Sequence, residues 1–266
     1  MTTTRGFGVA STLTSTVIGE LARAAETYGY RTFWTNDTPA GDGLVALREA
    51  ADATGLIGLG VGLLPLDRVS PATIVERVSR LDLPVGRLTV GLGAGAAPGG
   101  LARVRRAVSV VSDGTGAAVV IGALGPRMCQ LAGEVADGVL LDWPTPHSVV
   151  MARERVADGA RSGGRAAPRI AGYVFTALGA AALRRLRVEA AHYASVPAYA
   201  AHFARVGAEA LDATVHADTP PGIQQRLTTY DAVLDEVVVR AVAEEQSGSA
   251  YRRVLEAAAP PDDPAG

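Results

Sequence analysis

One pattern constrains this chain more than any other: a short apolar run, then a stretch with apolar positions at helical spacing, repeated about every 20 to 33 residues. The apolar runs begin near Gly6, Arg31, Ile57, Arg87, Ala117, Gly138 and Arg169. An eighth, DEVVVRAV, follows at Asp235 after a longer helical stretch. Runs such as RLTVGLG and AAVVIGAL do not alternate with polar residues, which marks parallel strands buried on both faces. The pattern predicts strands over 6–11, 31–36, 57–64, 87–92, 117–123, 138–143, 169–176 and 235–240.

The intervening segments carry apolar stripes at Val17, Leu21, Ala24 and Tyr28, at Ile74, Val78 and Leu81, and at Leu101, Val104, Val108 and Val111. Ser70-Pro71 supplies an N-cap and a preset first turn, and Gly29 and Gly55 stand where a left-handed residue closes a helix. Eight strand–helix units in 266 residues fit a single (β/α)8 TIM barrel, a fold that takes about 250 residues. The rival is an open doubly wound sheet. GLGAG at 91–95 does not support it, because it lacks G-x-G-x-x-G spacing and follows the fourth strand. The expectation is one barrel domain over 1–259 and a disordered tail over 260–266.

Composition narrows the function. The 25 basic residues, all arginine, nearly balance 27 acidic ones, and no basic cluster is dense enough to track a phosphodiester backbone, so nucleic acid is not an expected partner. A single cysteine, Cys129, excludes an intramolecular disulfide and a cysteine-built metal site; no metal is expected. The N-terminus lacks a signal-type apolar core, and LIGLGVGLLPL at 56–66 is too short to span a bilayer, so the expected location is the cytoplasm, away from membranes.

In a barrel the C-terminal strand ends carry the chemistry. The second strand ends at Asn36, Asp37 and Thr38, where Asp37 is a general acid or base, a partner for a ring system, or a turn carboxylate. Gly62 at the third lets backbone approach a ligand closely. Gly93, Ala94 and Gly95 at the fourth leave room for a flat cofactor, or form a plain loop. The fifth leads through Gly122 and Ala123 to Gly125 at a helix N-cap, Pro126 at its first position and then Arg127. Free N–H groups beside a guanidinium make an anion site there; the alternative is a simple turn with a solvated arginine. The sixth brings Asp142, Trp143 and His147 to the same mouth, His147 being either structural or catalytic.

The runs LARAAETYGYRTFWTND, ALREAADATGLIGLGVGLLPLDRVSPATIVERVSRLD, GRLTVGLGAG and VVIGALGPRMCQLAGEVADGVLLDWPTPHSV resemble the luciferase-like monooxygenase superfamily, and within it the coenzyme F420-dependent oxidoreductases. The likeness runs from about Gly6 to His147 and more weakly to the C-terminus. It implies a TIM barrel with a deazaflavin, coenzyme F420, at its mouth, or FMN as the alternative, and a small-molecule substrate. It implies further an acid beside the ring at Asp37, with Asn36 and Thr38 flanking it, and a non-prolyl cis peptide at Gly62-Leu63. Gly91, Gly93, Ala94 and Gly95 then lie beside the cofactor, and Gly122, Ala123, Gly125, Pro126 and Arg127 hold its phosphate.

The chain departs from its relatives at three places. Thr38 replaces a histidine common after the acid, and Ala96 replaces an acid that some sugar-phosphate dehydrogenases carry. The segment between Gly95 and Ala118 is short where relatives insert several tens of residues that cover the cofactor. Three functions follow as expectations: a deazaflavin-dependent hydride-transfer enzyme, an FMN-dependent monooxygenase, and a non-catalytic binding or partner protein. The trimmed mouth suggests cover by a second copy in a homodimer.

Overall fold

The computed structural model describes residues 3–261. Strand β1 (Thr4–Val9) leads through helix α1 (Ser15–Thr27) to β2 (Thr32–Thr35), α2 (Gly43–Ala53), β3 (Gly58–Pro65) and α3 (Pro71–Arg80). There follow β4 (Leu88–Gly93), α4 (Gly100–Thr115), β5 (Ala118–Ala123), α5 (Pro126–Val135), β6 (Gly138–Asp142) and α6 (Pro146–Ser162). The chain continues through β7 (Arg169–Leu178), α7 (Gly179–Ser195), α8 (Pro197–Val206), β8 (Thr214–Ala217), α9 (Pro220–Asp231), β9 (Glu236–Ala241) and α10 (Gly248–Ala257). Neighbouring strands β1 to β7 pair in parallel in chain order, β9 joins β7, and β1 pairs with β9. These eight strands close the predicted TIM barrel. Each begins and ends within two residues of its predicted limits; of the expected tail, 262–266 lie outside the described residues.

Three local expectations need correction. The longer helical stretch before the last strand contains β8, whose four residues pair with Phe175–Leu178 on β7 beyond the part that pairs with β6. Four residues between helices leave too short a pattern to register in sequence. In α1 the buried stripe is Ile18, Leu21, Ala22, Ala24 and Ala25, while Tyr28 is exposed and Val17 half-buried. Small residues face inward because α1 lies close on α2: a Cβ on Gly19 would stand 3.4 Å from that of Ala53. Gly29 is left-handed, with φ 76°, but Gly55 is not. Thr54 ends α2 in extended geometry, and Arg87 replaces the left-handed closure by donating to the carbonyls of Ala51, Thr54 and Ile57 at 2.8–3.1 Å. Glu26 Oε1 accepts from the backbone N–H groups of Gly55, Leu56 and Ile57.

Burial divides into two layers. Phe7, Phe33, Leu59, Ile121, Val139 and Val239 face outward from the barrel wall toward the helices. The interior holds Trp34, Leu140, Tyr173, Phe175 and Val238. Large side chains fit because glycines face them. A Cβ on Gly60 would lie 2.3 Å from the Trp34 ring, and one on Gly62 would lie 2.6 Å from Leu140 Cδ2 and 2.7 Å from Tyr173 Oη. Large side chains opposite glycines fill the barrel, so the strands carry their chemistry only at the open C-terminal rim. Among the described residues no helix is long and apolar enough to cross a membrane.

Candidate functional site

At the rim after β2, Asn36 Oδ1 accepts from the Ser11 N–H at 3.0 Å, tying the ends of β1 and β2 together. Asp37 follows, its side chain only 13% exposed. Its Oδ1 accepts from the Gly43 N–H at 3.2 Å, and Arg68 Nη2 donates to its Oδ2 and to its backbone oxygen, each at 3.0 Å. Thr38 and Gly41 exchange backbone hydrogen bonds of 3.0 and 3.3 Å across a tight turn. Both Asp37 oxygens are therefore engaged, which gives substance to the turn-carboxylate reading while leaving the group on the rim.

The rim after β3 contains a cis Gly62-Leu63 peptide bond, as the resemblance implied. Tyr173 Oη donates to the Gly62 carbonyl at 3.2 Å. The Leu63 side chain lies across β4 and β5: Cβ atoms on Gly91, Gly93 and Gly122 would meet it at 3.0, 3.3 and 2.0 Å. Glycine at these three positions lets Leu63 lie flat against the wall, half-buried, instead of standing up from it. The result is a level apolar surface. The loop beyond β4 is pinned. Arg103 donates to the carbonyls of Ala94 and Ala97, each at 2.8 Å, and Asp67 Oδ2 accepts from the Ala96 N–H at 2.8 Å. Gly95 sits at φ 70°, where a side chain would strike the Asp67 carboxylate.

A cleft of about 180 Å³ opens between the start of α5, the end of β6, α6 and α8. Ala123, Leu124, Gly125 and Pro126 line one side of it. Gly125 is the N-cap and Pro126 the first helical residue, as the sequence predicts. Of the two exposed arginines at this helix start, Arg205 from α8 lines the cleft and Arg127, the second residue of α5, does not. Arg205 Nη2 donates to the Leu124 carbonyl at 2.7 Å and would lie 3.7 Å from a Cβ on Gly125. The histidine in the lining is His202, whose ring nitrogens face the Leu124 and Trp143 carbonyls at 2.9 and 3.3 Å; His147 is exposed. Burial pushes the Cys129 thiol up to about 11, so it is an unreactive lining residue.

Asp142 closes the inner end. Tyr199 Oη donates to its Oδ2 at 2.6 Å, and its Oδ1 is buried without a partner. Burial pushes its pKa up to about 6, against the pull of Tyr199 and of Arg240 near the C-terminal end of β9. Next to it, fully buried Trp143 takes φ 51°, a left-handed conformation unusual for a bulky residue, and stacks on Phe175 with 4.0 Å between ring centroids. Tyr199, His202 and Arg205 all come from α8, within the stretch read from sequence only as helical. The signal there was Pro197 at the first helical position and Gly207, left-handed at φ 65°, closing the helix.

The model for luciferase-like monooxygenases matches residues 2–106 and 101–259. The chain belongs to the luciferase-like monooxygenase family. A curated relative, a 5,10-methylenetetrahydromethanopterin reductase from Methanolobus tindarius, is 45% identical over 47 residues, which is 18% of this chain and 14% of that reductase. The luciferase-like barrel superposes on an F420-dependent secondary alcohol dehydrogenase in complex with an F420-acetone adduct, with a TM-score of 0.77 and 15% identity over 97% of this chain and 99% of that one. It also superposes on the oxygenating constituent of a 3,6-diketocamphane monooxygenase from Pseudomonas putida in complex with FMN. That match has a TM-score of 0.70 and 13% identity over 97% of each chain. At these identities the likeness is one of fold.

Proposed function

We propose that this luciferase-like protein is an oxidoreductase that uses the deazaflavin coenzyme F420 to transfer a hydride to or from a small organic substrate. The observation that carries the reading is the surface made by Leu63 over Gly91, Gly93 and Gly122, a flat apolar wall at the rim suited to one face of a planar ring. Leu63, Gly93 and Ala94 would back the ring, and Asn36, Asp37 and Thr38 would border it. Ala123, Gly125 and Pro126, with Arg205, would hold a phosphate at the α5 N-terminus. The short stretch of 45% identity is with a reductase rather than an oxygenase, and the sequence resemblance to the F420-dependent oxidoreductases favours the deazaflavin over FMN.

When bound, the coenzyme supplies the hydride donor or acceptor; the chain supplies position and proton handling. Arg68 and the Gly43 N–H hold the Asp37 carboxylate in one orientation at the rim. Asp142 exchanges a proton near pH 6 at a carboxyl group that Tyr199 holds in place.

Calorimetric titration of the purified protein with F420 and with FMN tests the reading, alongside coenzyme absorbance in the presence of candidate secondary alcohols. F420 binding tighter than FMN, with substrate-dependent bleaching or recovery of the deazaflavin band, supports it. Tighter FMN binding transfers the assignment to a monooxygenase, and a folded protein that binds neither is a non-catalytic member.

A further inference from the structure

We propose that Arg240 is an anion-binding group at the barrel mouth and takes a compact oxyanion, a carboxylate or a phosphate, on the molecule that enters there. Arg240 is the inward-facing residue near the end of β9, register-paired with Phe175 on β7, and only 8% exposed. Its guanidinium lies over the Phe175 ring, 5.7 Å from the centroid. Its hydrogen bonding is nearly empty: among the described residues it makes one long contact of 3.4 Å, from Nη1 to the Ala241 carbonyl. It takes part in none of the ion pairs among those residues.

Arg5 on β1 shows what a buried arginine with a purely structural role looks like in this protein. It is 3% exposed and donates to Asp231, Gln224 and the carbonyls of Ala258 and Ala259. A buried guanidinium is always charged and costly to leave unpaired, so its five donors call for acceptors. Arg240 has almost none from the protein. The carboxylate whose field it feels, Asp142, is bonded to Tyr199 instead.

The space to supply an acceptor is present. Arg240 lines a groove of about 660 Å³ over the ends of β1 and β9 and along α7. Arg184, Arg185 and His192 of α7 line it as well, together with the carboxylates of Glu189 and Glu244. Gly8 on β1 stands beside the arginine stem: a Cβ there would lie 3.4 Å from Arg240 Cδ. Three guanidinium groups against two carboxylates favour an anion, and the planar fork of Arg240 suits paired oxygens. The inference rests on the functional reading only in treating the entering molecule as the substrate; the site itself is independent of which coenzyme is bound.

The test reads the protein alone. Trp143 stacks on Phe175, the ring beneath Arg240, so tryptophan fluorescence, to which Trp143 and Trp34 contribute, reports occupancy. The full chain is titrated with inorganic phosphate and, separately, with acetate at constant ionic strength, beside Arg240→Met, which keeps the stem and loses the charge. A saturable response that Arg240→Met weakens by about tenfold or more is expected. It should persist in Arg205→Ala, which separates it from the α5 helix start. Preference for phosphate identifies a phosphorylated ligand, and preference for acetate identifies a carboxylic acid. No saturable response to either anion, or an unchanged one in Arg240→Met, overturns the proposal. If Arg240→Met does not fold, Arg240→Lys replaces it: weakened binding supports the planar fork and equal affinity overturns it. Anion binding by a protein that takes neither coenzyme would leave this site standing and remove the oxidoreductase reading.

Discussion

Tyr199 donates a 2.6 Å hydrogen bond to Asp142 Oδ2 while Oδ1 of the same carboxylate is buried without a partner. One oxygen satisfied and one orphaned is the arrangement that disfavours the charged form, and burial accordingly carries the Asp142 pKa to about 6.

Asp142 should therefore give the folded protein a distinct pH signature. Its folded pKa lies above the unfolded value, so between about pH 4 and 6 the folded state keeps a proton that the unfolded state loses. Stability from this group is full below that window and declines as pH rises through it, by about 3 kcal/mol for a shift of two units. Asp142→Asn keeps an acceptor for Tyr199 and removes the charge. The variant should gain on the wild type in urea unfolding at pH 8 and not at pH 4; an equal difference at both pH values would contradict the assignment.

At the start of α5 the two arginines should separate cleanly. Arg205→Ala is expected to weaken a phosphorylated coenzyme by about 1.5–3 kcal/mol, the range for a hydrogen bond to a charged group. Arg127→Ala should change binding by no more than about 0.5 kcal/mol. Calorimetry on both variants decides, and the reverse order would return the phosphate to Arg127.

Arg5 should matter for stability alone. Removing it strands Asp231, which is partly exposed and can rehydrate, so Arg5→Met should cost about 3 kcal/mol, the low end for breaking a buried pair. The loosened contacts lie at Asp231 and at the C-terminal carbonyls of Ala258 and Ala259, away from the rim. Denaturant midpoints should fall while anion and coenzyme affinities hold; a matching loss of affinity would show coupling that the fold does not suggest.

Gly60→Ala tests the filled interior. A Cβ there would stand 2.3 Å from the Trp34 ring, so the indole must move. Overpacking of this kind costs about 1–3 kcal/mol. Near-ultraviolet circular dichroism should change together with the unfolding midpoint, and a variant that matches the wild type in both would mean that the barrel has slack at this level.

The barrel was legible in the sequence because its signals are local. Each parallel strand announces itself by an unbroken apolar run, and Ser70-Pro71, Gly29 and Gly125-Pro126 mark helix ends through chemistry confined to one turn. The glycines that let Leu63 lie flat were visible as glycines, and family resemblance placed the cis bond beside them. Only the tertiary structure decided what those residues meet. Gly55 escapes the left-handed conformation because Arg87, 32 residues on, satisfies the carbonyls of Ala51 and Thr54, and Asp37 is held by Arg68 from beyond the next strand. Arg205 joins Arg127 at the α5 start and lines the cleft there, and Tyr199 finds Asp142, because α8 folds back over β5 and β6. Arg127 and Arg205 look alike in sequence, as do Arg5 and Arg240. Which arginine is saturated, which is solvated and which waits for an anion depends on acceptors brought near by closure of the barrel, and local sequence carries no record of those distances.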